Sequence, residues 1–199
     1  MVTQNEHARQ APEIKDEDLI LRIGDGDRTA YGMLMDRHLR MNLAFATRLL
    51  GNSHEAEDVM QEAFVRVWKH AVNWDPGRNT KFTTWFYRVV MNLCLDVKRK
   101  RKPAVNLDEA ADVQSDENGA DGVLEEKQRA ARVAEALRQL PERQKAAVVL
   151  CYLQGKSNRE AAEIMDVSVN ALEALLVRGR KKLAEILSRD KNQLLEETG

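Results

Sequence analysis

Aromatic and basic side chains interleave around one loop and the helix that follows it: Trp74, Arg78, Lys81, Phe82, Trp85, Phe86, Tyr87 and Arg88. Rings that reach solvent stack on nucleobases, at about 1–3 kcal/mol each, while cations follow the phosphates, so this mixture suits a single nucleic-acid strand. Phe82 and Phe86 fall on the helix's apolar stripe and read as core. Trp85 lies off that stripe and Trp74 lies in a polar loop, so packing explains them less easily. A second constellation runs from Ser157 to Glu173 without Gly or Pro. Ser157 and Glu160 form an S-x-x-E capping box, which predicts a helix from Asn158 to Met165. Asp166 and Val167 make the turn, because Asp tolerates the left-handed backbone, and Ser168 caps a second helix carrying Arg178, Arg180, Lys181 and Lys182. In a helix-turn-helix that second helix enters the major groove; the alternative is an ordinary helical hairpin. The one candidate metal cluster is His54, Glu55, Glu57 and Asp58, but Glu57 points away from the other two acids and no second histidine follows at ligand spacing. Catalysis is therefore rejected, and neither cofactor nor metal is expected.

The elements that must position these groups are all helical. Asp16-Glu17-Asp18 opens a short helix through Leu19, Ile20 and Ile23 to Gly24, and Asp27 caps the next. There Tyr31, Leu34, Met35, His38, Met41, Phe45, Ala46 and Leu49 recur at three and four, with Gly51 as the stop and His38 read as a packed, hydrogen-bonded residue. A third helix after Ser53 turns Ala56, Val59, Met60, Ala63, Phe64 and Val67 to the core and leaves Asp58, Gln61, Glu62, Val65 and Trp68 on the opposite face. That mixed face reads either as an interface or as partial burial of Trp68. The loop Asn73–Thr80 carries Pro-Gly turn chemistry. A fourth helix from Thr83 or Thr84 follows it. Its apolar stripe is Phe82, Phe86, Val89, Val90, Leu93 and Val97, its second stripe Trp85, Arg88, Asn92, Asp96 and Arg99, and it stops at Pro103. Leu124 to Leu140 is helical in period, Pro141 fits the first position of another helix ending before Gly155, and the helix-turn-helix completes a four-helix module.

The net charge is −1, but it is segregated: residues 28–102 carry 14 basic and 7 acidic groups, residues 103–126 carry 0 and 8, and residues 127–199 carry 14 and 10. Two basic blocks flank one acidic stretch, so the near-zero total hides two surfaces able to hold phosphate. The predicted fold class is all-α: a loose N-terminus over 1–15, helical domains over 16–102 and 123–188, a flexible acidic linker over 103–122, and a tail over 189–199. The 2 cysteines, Cys94 and Cys151, sit in apolar helical patterns, read as reduced core residues and imply a reducing compartment. No apolar run approaches a membrane span and no signal peptide opens the chain, so a cytoplasmic protein without direct membrane insertion is expected.

The runs Glu57–Trp68, Phe82–Asp96, Leu140-Pro-Glu-Arg-Gln144 and the helix-turn-helix resemble regions 2 and 4 of the sigma-70 family of bacterial transcription initiation factors. Nothing like a region 3 domain lies between them, which resembles the extracytoplasmic-function (ECF, group IV) sigma factors. The resemblance implies that Asp58, Gln61, Glu62, Val65 and Trp68 face the β′ clamp helices of core RNA polymerase, with region 4 at the β flap. It implies that Asn73, Trp74, Arg78, Asn79, Lys81, Trp85, Arg88 and Asn92 hold the separated non-template strand of the minus-10 element. Arg159, Ser168, Asn170, Glu173, Arg178 and Lys181 would meet the minus-35 element of promoter DNA. The chain departs from the family pattern at Ala171-Leu-Glu-Ala-Leu175, where relatives place a small-Val-Lys-Ser-Arg run. Repulsion between Glu173 and phosphate weakens binding there unless the carboxylate accepts from a cytosine amino group. The resemblance also implies an anti-sigma factor as a partner. An alternative function is a sigma mimic that sequesters an anti-sigma factor; retention of Lys81, Arg88 and the Lys98–Lys102 run favours the sigma factor itself.

Overall fold

The computed structural model describes residues 14–77, 80–101 and 121–197, with side chains in the last stretch placed from 129 to 189. Among the described residues every regular element is helical: α1 (Asp16–Gly24), α2 (Arg28–Leu50), α3 (Ser53–Ala71), α4 (Phe82–Arg101), α5 (Asp121–Arg138), α6 (Glu142–Val148), a π-helical turn (Val149–Leu153), α7 (Asn158–Met165) and α8 (Val169–Glu197). The all-α class holds. The readings of residues 1–13 as loose and of 102–120 as a linker lie outside the described residues.

The first four helices share one core of Leu19, Ile20, Ile23, Leu34, Phe45, Met60, Phe64, Phe82 and Phe86. Asp27 caps α2 by accepting from the backbone N–H groups of Thr29 at 2.8 Å and Ala30 at 3.0 Å. Gly51 ends α2 at φ 73°, a left-handed conformation that glycine adopts without steric cost. Glu17 of α1 accepts from the backbone N–H of Phe82 at 3.1 Å, which ties the start of α4 to the first helix. His38 is packed and hydrogen-bonded: its Nε2 lies 2.8 Å from the Asp16 carboxylate and its ring leans on Phe82.

Several elements differ from expectation. Met41, assigned to the apolar stripe of α2, is 49% exposed, while its neighbour Asn42 is 1% exposed and donates to the His38 carbonyl at 2.9 Å. The bond to its own helix offsets the cost of burying the Asn42 donor, while its Oδ1 is buried without a donor. The cap of α3 is Asn52, with Ser53 the first helical residue, and α4 begins at Phe82, a residue or two before the predicted start. Pro141 occupies the cap position of α6, not its first turn. α5 begins at Asp121, inside the predicted linker, and α8 continues to Glu197, through most of the predicted tail.

The second group of helices packs on the first. Tyr87 of α4 donates to Gln154 Oε1 at 3.1 Å, the Lys156 ammonium stands 4.6 Å from the Tyr87 ring centroid, and Lys98 of α4 bonds Glu142 of α6 at 2.9 Å. Arg88 of α4 donates to the main-chain carbonyl of Glu163 on α7. In the middle of this seam lies Lys145, fully buried, with no acceptor for its ammonium. Burial first, and then the Lys98 charge, pull its pKa from 10.5 down to about 8.

Candidate nucleic-acid interface

The helix-turn-helix is built as its sequence requires. Ser157 and Glu160 complete the capping box, with the Glu160 N–H on Ser157 Oγ at 3.2 Å and the Ser157 N–H on Glu160 Oε2 at 3.0 Å. The Ser157 hydroxyl, which donates to Glu160 Oε2 at 2.7 Å, and then the Ser157 N–H hold the Glu160 carboxyl below its ordinary pKa. Asp166 ends α7 at φ 53°, ψ 52°, the left-handed conformation. Ser168 accepts from the Ala171 N–H at 3.2 Å and so caps α8. α7 buries Ala161, Ala162, Ile164 and Met165, and α8 buries Leu172 and Leu176 against them. The outward face of the pair carries Asn170, Glu173, Arg178 and Lys181, all exposed, and Arg159, which lies 3.4 Å from Glu163.

On the other half, Asn73, Lys81 and Asn92 are exposed, while Arg78 and Asn79 lie outside the described residues. The two tryptophans are not free platforms. Trp74 and Trp85 meet edge to face at 5.6 Å, both lean on Phe82 at 6.0 and 5.8 Å, and Trp85 also touches His70 at 5.5 Å. Each is half-buried, so the loop tryptophan that sequence pattern left without a packing role closes over the N-terminus of α4. The Trp74 indole N–H is buried without an acceptor. Arg88 is half-buried as well, and its donor is taken by the Glu163 carbonyl.

The mixed face of α3 is solvent-facing. Asp58, Gln61 and Glu62 are exposed, Val65 is 42% and Trp68 38% exposed, and Trp68 rests edge-on against Tyr31 at 5.3 Å. Trp68 therefore packs on one side and remains open on the other. Sequence periodicity did not reveal that Gln154 and Glu142 meet Tyr87 and Lys98 across the halves; these partners are distant in sequence, so no local spacing marks the pairs.

No cluster of three metal-ligating side chains forms among the described residues, and none of their helices is long and apolar enough to cross a membrane. Cys94 is buried and its thiol is pushed up to about 12 by that burial; Cys151 is half-buried and also unpaired.

Residues 34–103 match the family description "Sigma-70 region 2", and residues 124–183 match "Sigma-70, region 4". The ECF RNA polymerase sigma factor SigW of Bacillus subtilis is 33% identical over 180 residues, covering 84% of this chain and 94% of that protein. The RNA polymerase sigma factor CnrH of Cupriavidus metallidurans is 33% identical, covering 90% and 97%. The solved structure of CnrH in complex with the cytosolic domain of CnrY superposes with a TM-score of 0.66 at 29% identity, over 88% of this chain and 98% of that one. The sigma factor RpoE of Bartonella quintana, solved with the anti-sigma factor NepR, has the same fold at 22% identity and a TM-score of 0.64. The successive region 2 and region 4 matches make the chain a transcription initiation factor of the sigma-70 class. The chain belongs to the ECF RNA polymerase sigma factors and is an alternative sigma factor.

Proposed function

We propose that this chain acts in the cytoplasm as a group IV sigma factor of two modules, residues 16–102 and 123–188, and that it has no catalytic activity of its own. The first module docks core polymerase through Asp58, Gln61, Glu62, Val65 and Trp68. Acid beside open apolar surface on one helix face is what a basic, partly apolar partner needs, with charge guiding encounter and Trp68 supplying contact area. Asn73, Trp74, Arg78, Asn79, Lys81, Trp85, Arg88 and Asn92 receive the melted minus-10 strand. Since Trp74 and Trp85 pack on each other, they offer a base only the parts of their rings that this packing leaves open. The second module reads the minus-35 element through Arg159, Ser168, Asn170, Glu173, Arg178 and Lys181, and meets the β flap.

The observation that carries this reading is the succession, in one chain, of the region 2 and region 4 matches with these surfaces displayed on α3 and α8. The arrangement with Arg88 on Glu163 differs from the promoter-bound one. Elements centred about 25 base pairs apart stand roughly 80 Å apart along the duplex, whereas here the two halves share a hydrogen bond. Opening on core polymerase is therefore part of the mechanism, and a segment from Arg101 to Asp121 reaches up to roughly 70 Å. An anti-sigma factor would act by keeping the halves together; CnrH, 29% identical in its solved chain, was solved in complex with the cytosolic domain of CnrY.

Run-off transcription with core polymerase on a genomic fragment library tests the function: promoter-specific transcripts appear only when the chain is added. Core binding without transcripts would instead favour the mimic. Neutralising Lys81 and Arg88 together lowers open-complex formation, and a premelted bubble template restores part of it. An equal defect on both templates would remove the strand-capture role.

A further inference from the structure

The outward stripe of α8 is unusual for a helix that meets DNA. Val169, Glu173 and Val177 succeed one another at one-turn spacing, and all three are exposed, Val169 by 39% and Val177 by 56%. The cations Arg178 and Lys181 begin only after this acidic and apolar run. Glu173 lies four residues beyond the first helical residue, about 6 Å along the axis, within the N-terminal part of a recognition helix that reaches base edges. Phosphate repels a carboxylate. In the major groove only the amino groups of cytosine and adenine can donate to one, and adenine sets its N7 acceptor beside its amino group, which a carboxylate also avoids.

One long contact orients this carboxylate. Asn158, the first residue of α7, donates from Nδ2 to Glu173 Oε1 at 3.4 Å. On the other side of the same amide, the Cys151 thiol donates weakly to Asn158 Oδ1 at 3.8 Å. Among the described residues no cation pairs with Glu173. An ionised carboxylate accepts several hydrogen bonds, so one from Asn158 leaves capacity for a base.

We infer that Glu173 selects a cytosine in the upstream promoter element, that Val169 contacts a neighbouring thymine methyl, and that Asn158 is the positioning residue for the carboxylate. This rests on the minus-35 reading of the second module and adds to it the bases that are read. The loss of basic groups from this stretch is then a change of specificity, with phosphate contact left to Arg159, Arg178 and Lys181.

The test is selection from a randomised duplex pool by core polymerase carrying the full wild-type chain, Glu173→Gln, Asn158→Ala or Val169→Ala. The wild type enriches an upstream motif with one cytosine favoured about 5- to 150-fold over other bases. Glu173→Gln loses that preference at this position and gains adenine there, while the other positions keep theirs. Asn158→Ala keeps the cytosine with a smaller ratio, at that position only, and Val169→Ala weakens an adjacent thymine. An identical motif from wild type and Glu173→Gln overturns the inference but leaves minus-35 binding standing. An Asn158→Ala motif equal to that of the wild type removes the positioning role. No upstream motif from any chain would sink the minus-35 reading and the inference with it.

Discussion

Arg88 of α4 donates from its guanidinium to the main-chain carbonyl of Glu163 on α7, so a cation of the proposed strand-holding surface is engaged by the helix-turn-helix. Tyr87 with Gln154 and Lys98 with Glu142 continue the same seam. Glu142 and Gln154 lie outside the proposed DNA and polymerase surfaces and permit a clean test. Glu142→Lys with Gln154→Ala sets a cation against Lys98 and leaves the Tyr87 hydroxyl without its acceptor, a loss of about 1–3 kcal/mol in total. Small-angle scattering of the double variant should show a larger radius of gyration, with helix content by circular dichroism unchanged. Identical scattering curves would mean that these contacts do not hold the halves together.

The polymerase face is predicted to be separable from stability. Among the described residues Glu62 pairs only with Arg66 of its own helix, at 2.9 Å and largely exposed, a pairing of small value in water. Reversing Asp58 and Glu62 to Lys should leave the thermal midpoint nearly unchanged and weaken core-polymerase binding by about tenfold or more. Titration of labelled chain with core enzyme measures it, and unchanged affinity would exclude this face.

Lys145 should make stability depend on pH above neutrality. Its folded pKa is about 8 against 10.5 for an ordinary lysine, so from about 8 to 10.5 the unfolded chain binds more protons and folding strengthens as pH rises. Lys145→Met removes a buried charge without an acceptor and should flatten that rise. Urea midpoints near pH 7, 8.5 and 10 compare the two slopes. Parallel curves would show that Lys145 does not titrate in this range.

Gly179 lies inside α8, where alanine would ordinarily favour the helix by about 1 kcal/mol. A Cβ at Gly179 would stand 2.8 Å from Val148 Cγ2, because α8 crosses α6 closely there. Gly179→Ala should therefore destabilise the second module by about 1–3 kcal/mol, and Val148→Ala in the same chain should recover part of the loss. A gain in stability from Gly179→Ala alone would mean that α6 yields without strain.

Acid should weaken the N-terminal packing through Asp16. Burial raises its pKa, but the hydrogen bonds and charges of His38 and Arg37 outweigh that and hold it below the usual 3.8. The stabilisation is thus present above the unfolded value and is lost as pH falls through the folded one. Asp16→Asn should cost about 1–3 kcal/mol near pH 7 and show less loss on acidification, as unfolding curves at about pH 3 and 7 would reveal.

By itself the sequence determined whatever local chemistry decides. The Ser157–Glu160 box, the left-handed Asp166, the Ser168 and Asp27 caps and the apolar stripes of α3 and α4 depend on residues within a turn or two of each other. The solvent face of α3 was equally legible, because helical period fixes what lies opposite a buried stripe. The tertiary structure alone decided which half-apolar residues remain open. Trp74, in a polar loop, closes on Phe82 and Trp85, while Met41 gives up its place in the core to Asn42. It also decided that the two modules meet, with Lys145 buried at their seam, since those contacts join residues 44 to 75 positions apart. Periodicity records which face of a helix is apolar; the partner for that face depends on how other helices fill the space, and no local spacing contains that.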